Sequence, residues 1–389
     1  MRIFYLIILS LVSTSITLAQ TAGPPEKNAS YWEGTIQGGD VVPVNDFVEG
    51  KNSSNRPIRY FLAGFAEWGR QSSGKQAWEQ SFNYPFFGFG VWGNTYFNTE
   101  AGPAFSTYGV FGTTIYRGEG WRIGYRFRLG LAYVPHYYDP EKYPYNIFTA
   151  SFVNFFFNAG LEYQVDLGDK LDLVTSLALT HYSNGRASVP DTGNNTLGLG
   201  VGLRYFPKKK LPRYYHHNLP NYDKSASWTY KVLASTRQVE SGDSLNQSSG
   251  EHYLLLGLSG YWSKKISRHA SLGVGLGVTY DGTVGAPVFG KIREEKPTIG
   301  EQILIDIHAG YVVTVWKISL AIQPGFYVYK SQLAEDKPIL YQRVGLRYHA
   351  TKRGFAYVAL RAMEFSAADF IEWGIGLKFH HKKKSDHNK

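Results

Sequence analysis

The chain has no cysteine among its 389 residues. A disulfide framework is excluded, so a fold of this size needs another form of closure. A hydrogen-bonded barrel supplies one without open edges. Long apolar runs are also missing: beyond the first residues no stretch reaches the ~18 residues that a transmembrane helix needs. Acidic residues are the minority, with 31 Asp and Glu against 41 Lys and Arg, a formal charge of +10. A basic chain can serve nucleic acid. Here the cations are scattered among candidate strands or gathered at Lys208-Lys209-Lys210 and Lys382-Lys383-Lys384, a loop and a tail that read as solvated runs. No nucleic-acid partner is expected.

What is abundant is aromatic side chain and glycine: 16% of residues are aromatic, with 29 Tyr and 42 Gly. The first residues carry Arg2, an apolar run from Ile3 to about Thr17, and small residues in Thr17-Leu18-Ala19. They read as a signal peptide over 1–19, which makes the chain an exported one. Without a cysteine at the cleavage site, no lipoprotein anchor is expected.

From about residue 76, long alternating segments recur between turn residues. In 121–133, Trp121, Ile123, Tyr125, Phe127, Leu129, Leu131 and Tyr133 alternate with Arg122, Gly124, Arg126, Arg128, Gly130 and Ala132. The segments 272–280, 303–315 and 369–379 alternate in the same way. Side chains two apart on a strand share a face. A large apolar series against a small or charged one is the pattern of a transmembrane β-barrel with a lipid-facing wall and a polar interior. Arg126 or Arg128 is expected to pair with Asp306 or Glu372 in that interior.

The expected architecture is therefore all-β: an antiparallel outer-membrane β-barrel of about 14 strands, within a range of 12–16. It occupies 76–379. Residues 20–75 read as an N-terminal leader, plug or periplasmic segment, and 380–389 as a basic tail. Short and long links alternate, as periplasmic turns and external loops do. The exception is the long basic link at 207–226. By this parity the loop after Ser183 faces outside the cell.

One hairpin carries candidate chemistry. In 171–183 (LDLVTSLALTHYS), His181 and Ser183 continue the outward stripe of Leu171, Leu173, Leu177 and Leu179. Their Cβ atoms lie about 6–7 Å apart on a strand, so the imidazole can reach the hydroxyl. A serine hydroxyl needs a base to take its proton, and the base needs a third group to orient it. Asn195 lies across the hairpin on the same face, and Asp191 is the alternative in the loop. Asn184 and Gly185 offer amides for an oxyanion hole. A base and a hydroxyl at the rim of an apolar wall point to an ester hydrolase acting on lipid. The adjacent pairs His216-His217 and His380-His381 lack a carboxylate at ligand spacing, so no metal and no other cofactor is expected.

The stretch His181-Tyr182-Ser183-Asn184, the loop with Pro190, Gly193-Asn194-Asn195 and the strand Leu197-Gly198-Leu199-Gly200-Val201-Gly202-Leu203-Arg204-Tyr205 resemble the lipid A 3-O-deacylase family, PagL-type barrels also called acyloxyacyl hydrolase-like. The similarity extends loosely over about 84–207, and the longer second half looks like the Bacteroidetes-type versions. The resemblance implies an eight-stranded outer-membrane barrel that removes an ester-linked acyl chain from lipid A of lipopolysaccharide with a Ser-His-Glu triad and no cofactor. His181 would be the base and Ser183 the nucleophile. The chain departs from the family at Asn195, where the family has its Glu. The partners expected are lipopolysaccharide or another outer-leaflet lipid, the membrane, and a second copy in a homodimer. The rival expectation is a non-catalytic outer-membrane channel or structural barrel.

Overall fold

The computed structural model describes residues 28–208, 210, 214, 218–219, 221–239, 251–286, 296–334, 337–364 and 367–381. The expected signal peptide, His216-His217 and most of the basic tail lie outside the described residues.

The chain is all-β and antiparallel, as its alternation requires. The described residues form sixteen strands, and these close as two barrels of eight. The first barrel consists of β1 (Ala29–Val41), β2 (Tyr60–Gln71), β3 (Phe86–Thr95), β4 (Ala104–Arg117), β5 (Trp121–Tyr133), β6 (Val153–Asp166), β7 (Leu171–Ser183) and β8 (Asn194–Tyr205), and closes through β8 against β1. The second consists of β9 (Ala226–Arg237), β10 (Tyr253–Lys265), β11 (Ala270–Asp281), β12 (Ile303–Val315), β13 (Ile318–Tyr329), β14 (Leu340–Tyr348), β15 (Gly354–Met363) and β16 (Ala367–His380), and closes through β16 against β9.

The count falls at the top of the expected range, and the division into two barrels corrects the single barrel over 76–379. The segment 20–75, expected as a leader or plug, holds β1 and β2. The alternation of β1 is weak in the sequence because its outward face runs Trp32, Gly34, Ile36 and Gly38, which halves the hydrophobic contrast with Glu33, Thr35 and Gln37 inside. The anomalous link at 207–226 is where one barrel ends and the next begins. Two short helices lie in the first barrel's loops, α1 (Asp46–Glu49) and α2 (Ala77–Ser81). The second lies at 77–81, just past residue 76 where the alternating segments were expected to begin, and the strand there starts at Phe86.

Each barrel turns its apolar side chains outward. On β8, Leu199 is 70% exposed while Arg204 is fully buried. In water such a wall would be a large exposed patch; against lipid it is the lower-energy arrangement. The interior of an eight-stranded barrel is just wide enough for side chains to fill. In the first barrel, Arg126 reaches Glu33 (2.5 Å), Glu67 (2.9 Å) and Glu162 (2.6 Å). Arg128 reaches Glu67 (2.5 Å), and Arg204 reaches Glu33 (2.7 Å). The expected pairing of Arg126 or Arg128 with Asp306 or Glu372 is thereby corrected, because the arginines are in the first barrel and those acids in the second. There Glu372 receives Arg343 and Arg361, each at 2.8 Å, and Asp306 receives His308 (2.8 Å) and the Tyr341 hydroxyl (2.7 Å). Buried charges persist only when compensated in this way. A cavity bounded by Glu33, Arg126, Glu162 and Ser176 has about 10 Å³, the space of one water molecule.

Candidate active site

β7 and β8 are joined by a loop at 184–193 and paired so that His181 stands directly opposite Asn195. Outward-facing positions on β7 are the odd ones, which puts His181, Ser183 and Asn195 on one outer patch. Neighbouring β6 places Phe157 opposite His181 and Phe155 opposite Ser183. Leu179 and Leu197 form the next pair down the wall. The patch is polar at the rim and apolar below it.

The three side chains form a hydrogen-bonded chain. His181 Nδ1 lies 2.9 Å from Asn195 Oδ1, and Nε2 lies 3.0 Å from Ser183 Oγ. An amide oxygen only accepts, so Nδ1–H donates to Asn195 and the Nε2 lone pair is left to accept from the serine hydroxyl. That is the tautomer a general base needs. Although Ser183 is on the outward face, it is only 8% exposed, because the loop folds over it. Gly193, at φ +69°, is part of that cover: a Cβ built there would lie 2.8 Å from His181 Cε1 and 3.4 Å from Ser183 Cβ. In the sequence, Gly193 is marked by its place in Gly193-Asn194-Asn195, two residues before Asn195.

The other candidates are placed differently. Asp191 accepts from the Asn184 backbone N–H at 3.1 Å, so its carboxylate braces the loop while the imidazole goes to Asn195. The Asn184 side-chain amide donates to the Thr149 and Ser151 hydroxyls, each at 3.1 Å. Both donors expected of Asn184 in an oxyanion hole are therefore engaged with the protein. Gly185, at φ +67°, is in the left-handed region and starts the turn after β7. Thr192 and Gly193 donate their N–H groups to Ile147 and Phe148 at 3.1 and 2.9 Å, and Asn45 donates to the Thr192 hydroxyl at 2.7 Å. Two loops of the first barrel, β1–β2 and β5–β6, thus hold the 190–193 segment over the serine. Among the described residues no group of three or more His, Cys, Asp or Glu side chains is arranged to hold a metal ion.

A family model described as the acyloxyacyl hydrolase C-terminal domain matches residues 226–382. That span is the second barrel. Its seventh strand, β15, ends in Arg361-Ala362-Met363 where the seventh strand of the first ends in His181-Tyr182-Ser183. The acyloxyacyl hydrolase likeness is thus carried by one barrel and the serine–histidine pair by the other. No curated protein matches the chain. Among solved structures, BamA from Haemophilus ducreyi lacking POTRA domains 1–3 is 9% identical, covering 91% of this chain and 71% of its own, with a TM-score of 0.20. CdiB from Escherichia coli is also 9% identical, covering 93% and 64%, with a TM-score of 0.20. A porin triple mutant from Rhodopseudomonas blastica is 9% identical, covering 91% and 99%, with a TM-score of 0.17. Overlaps this loose carry no argument about architecture or activity.

Proposed function

We propose that the first barrel is a serine esterase of the outer membrane that removes an ester-linked acyl chain from lipid A of lipopolysaccharide. The observation that carries the proposal is the chain Ser183–His181–Asn195, at 3.0 and 2.9 Å, on the outward wall at the loop-bearing rim. An ester buried in water-poor surroundings can reach this hydroxyl from the lipid side without entering the barrel. In the reaction, Ser183 Oγ attacks the ester carbonyl as its proton passes to His181 Nε2. The tetrahedral intermediate collapses, His181 returns the proton to the departing sugar hydroxyl, and an acyl-enzyme remains. Water, activated by the same imidazole, then releases the fatty acid. Asn195 orients the ring but offers no charge to the imidazolium, so the site is weaker than one with a carboxylate there. The acyloxyacyl hydrolase likeness of residues 226–382 agrees with a hydrolase. The lipid-facing walls agree with membrane residence. The filled interior of the first barrel gives the channel reading no support.

The test is mass spectrometry of lipid A from outer membranes that contain the wild type or Ser183→Ala. Loss of one acyl mass with the wild type alone is expected. Unchanged lipid A with folded wild-type protein, or equal deacylation by the variant, refutes the proposal.

A further inference from the structure

The turns at one end of the second barrel carry charge of a single sign. Backbone hydrogen bonds stitch them into a ring: Thr314 N–H to His269 C=O and His349 N–H to Lys317 C=O, both 2.8 Å, Lys378 N–H to Arg353 C=O, 2.8 Å, and His381 N–H to Ala226 C=O, 2.9 Å. The β10–β11 turn supplies Lys264, Lys265 and Arg268, the β12–β13 turn Lys317, and the β14–β15 turn Lys352 and Arg353. These three turns contain no Asp or Glu. None of the six cations makes an ion pair among the described residues, and Lys264, Lys317, Lys352 and Arg353 are exposed. The one acid nearby in the chain, Asp223, accepts from the Ser225 N–H at 3.0 Å. The short-turn end of the first barrel is built otherwise. Its Arg122 is paired to Asp166 (3.1 Å) and Asp172 (2.6 Å).

Below the cations runs an aromatic belt. Trp228, Trp262, Trp316, Tyr348 and Phe379 are 37–61% exposed on the outer wall. The Lys317 ammonium sits 5.3 Å from the Trp316 ring and the Arg353 guanidinium 5.7 Å from Phe379. Beyond the belt the wall is apolar, with Val232, Leu258, Leu276 and Ile375 exposed. Aromatic side chains of this kind mark the membrane–water interface, and cations just outside them lie at the depth of lipid phosphates. A soluble polyanion would need the cations but not the belt.

We propose that this rim is a collar that binds the headgroups of anionic phospholipid. Unpaired cations on three turns of this ring give the lipid-facing wall of the second barrel phosphate partners at this end.

The full chain is reconstituted in phosphatidylcholine vesicles with about one lipid in five replaced by phosphatidylglycerol, and spin-labelled lipids report the composition of the boundary layer. Phosphatidylglycerol is expected to be enriched at least about twofold over phosphatidylcholine at low salt, and to fall to parity at high salt. Parity is also expected for the variant Lys264→Gln/Lys265→Gln/Arg268→Gln/Lys317→Gln/Lys352→Gln/Arg353→Gln. Should that variant not fold, the salt titration of the wild type decides alone. Parity in the wild type overturns the proposal, as does enrichment indifferent to salt. Displacement of phosphatidylglycerol by millimolar inorganic phosphate overturns it too, by revealing a discrete anion site instead of a lipid collar.

Discussion

Replacing Gly193 by alanine separates the position of the imidazole from every other property of the site. The new methyl would start 2.8 Å from His181 Cε1, against the 3.5–4.0 Å at which carbon atoms pack, so the ring must retreat by ~0.7 Å. The Ser183–His181 hydrogen bond is 3.0 Å and does not survive a shift of that size without reorientation. Misplacement of about 1 Å costs ~10²-fold in rate. The substitution also strains the backbone, since φ is +69°, by about 1–2 kcal/mol. Gly120→Ala provides the matched control: φ there is +73°, in the turn before β5, and a Cβ would meet no atom within 4 Å. Both variants should lose similar stability, read as the shift in the urea midpoint after refolding in detergent. Only Gly193→Ala should lose lipid A deacylation, by ~10² in kcat/KM. Equal activity in the two variants, with both barrels folded, would show that Gly193 does not set the imidazole and would sink the argument from its missing side chain.

Three further outcomes follow from the same geometry. Asn195→Ala should lower kcat by ~10², whereas Asn195→Glu should keep or raise it; a flat response to both, measured in the same deacylation assay, removes Asn195 from the orienting role. Arg126→Met leaves Glu33, Glu67 and Glu162 without their shared cation and should destabilise the first barrel by about 3–5 kcal/mol. An unchanged urea midpoint would mean that the network is not what fills the interior. In planar bilayers the full chain should give no steady single-channel conductance, because an eight-stranded barrel is filled by its own side chains; large, lasting openings would restore the channel reading.

Much of the fold was legible in the sequence because each lipid-facing wall repeats one contrast. Over 121–131 of β5 and 197–205 of β8 every second residue is large and apolar, and those between are glycine or arginine. That contrast reports the face of a residue, not the strand it pairs with. The closures β8 to β1 and β16 to β9 depend on pairing, so the division into two barrels was out of reach. β1 was lost for a second reason, since glycines at 34 and 38 remove the apolar half of its signal. For the site, parity alone placed His181 and Ser183 together, and hairpin geometry brought Asn195 opposite. The bracing by Asp191 and the close cover by Gly193 depend on loop conformation, which no periodicity encodes.

The filled interior of the first barrel bears on the chemistry outside it. Tyr182 lies between His181 and Ser183 and points inward, where Trp92 and Phe148 surround it. Asn194, one residue before Asn195, also points inward. The Tyr96 hydroxyl donates to Asn194 Oδ1 at 2.9 Å and lies 3.2 Å from the Tyr182 hydroxyl. One buried tyrosine therefore clamps the inner side of both strands at the level of His181 and Ser183. A slip of one residue in the β7–β8 register would send a strand's outward residues inside. It would also break the Tyr96 contacts and bury His181 or Asn195 among aromatic rings. The register that aligns Ser183, His181 and Asn195 on the lipid side is thus fixed from the lumen. An open pore would lack that inner support.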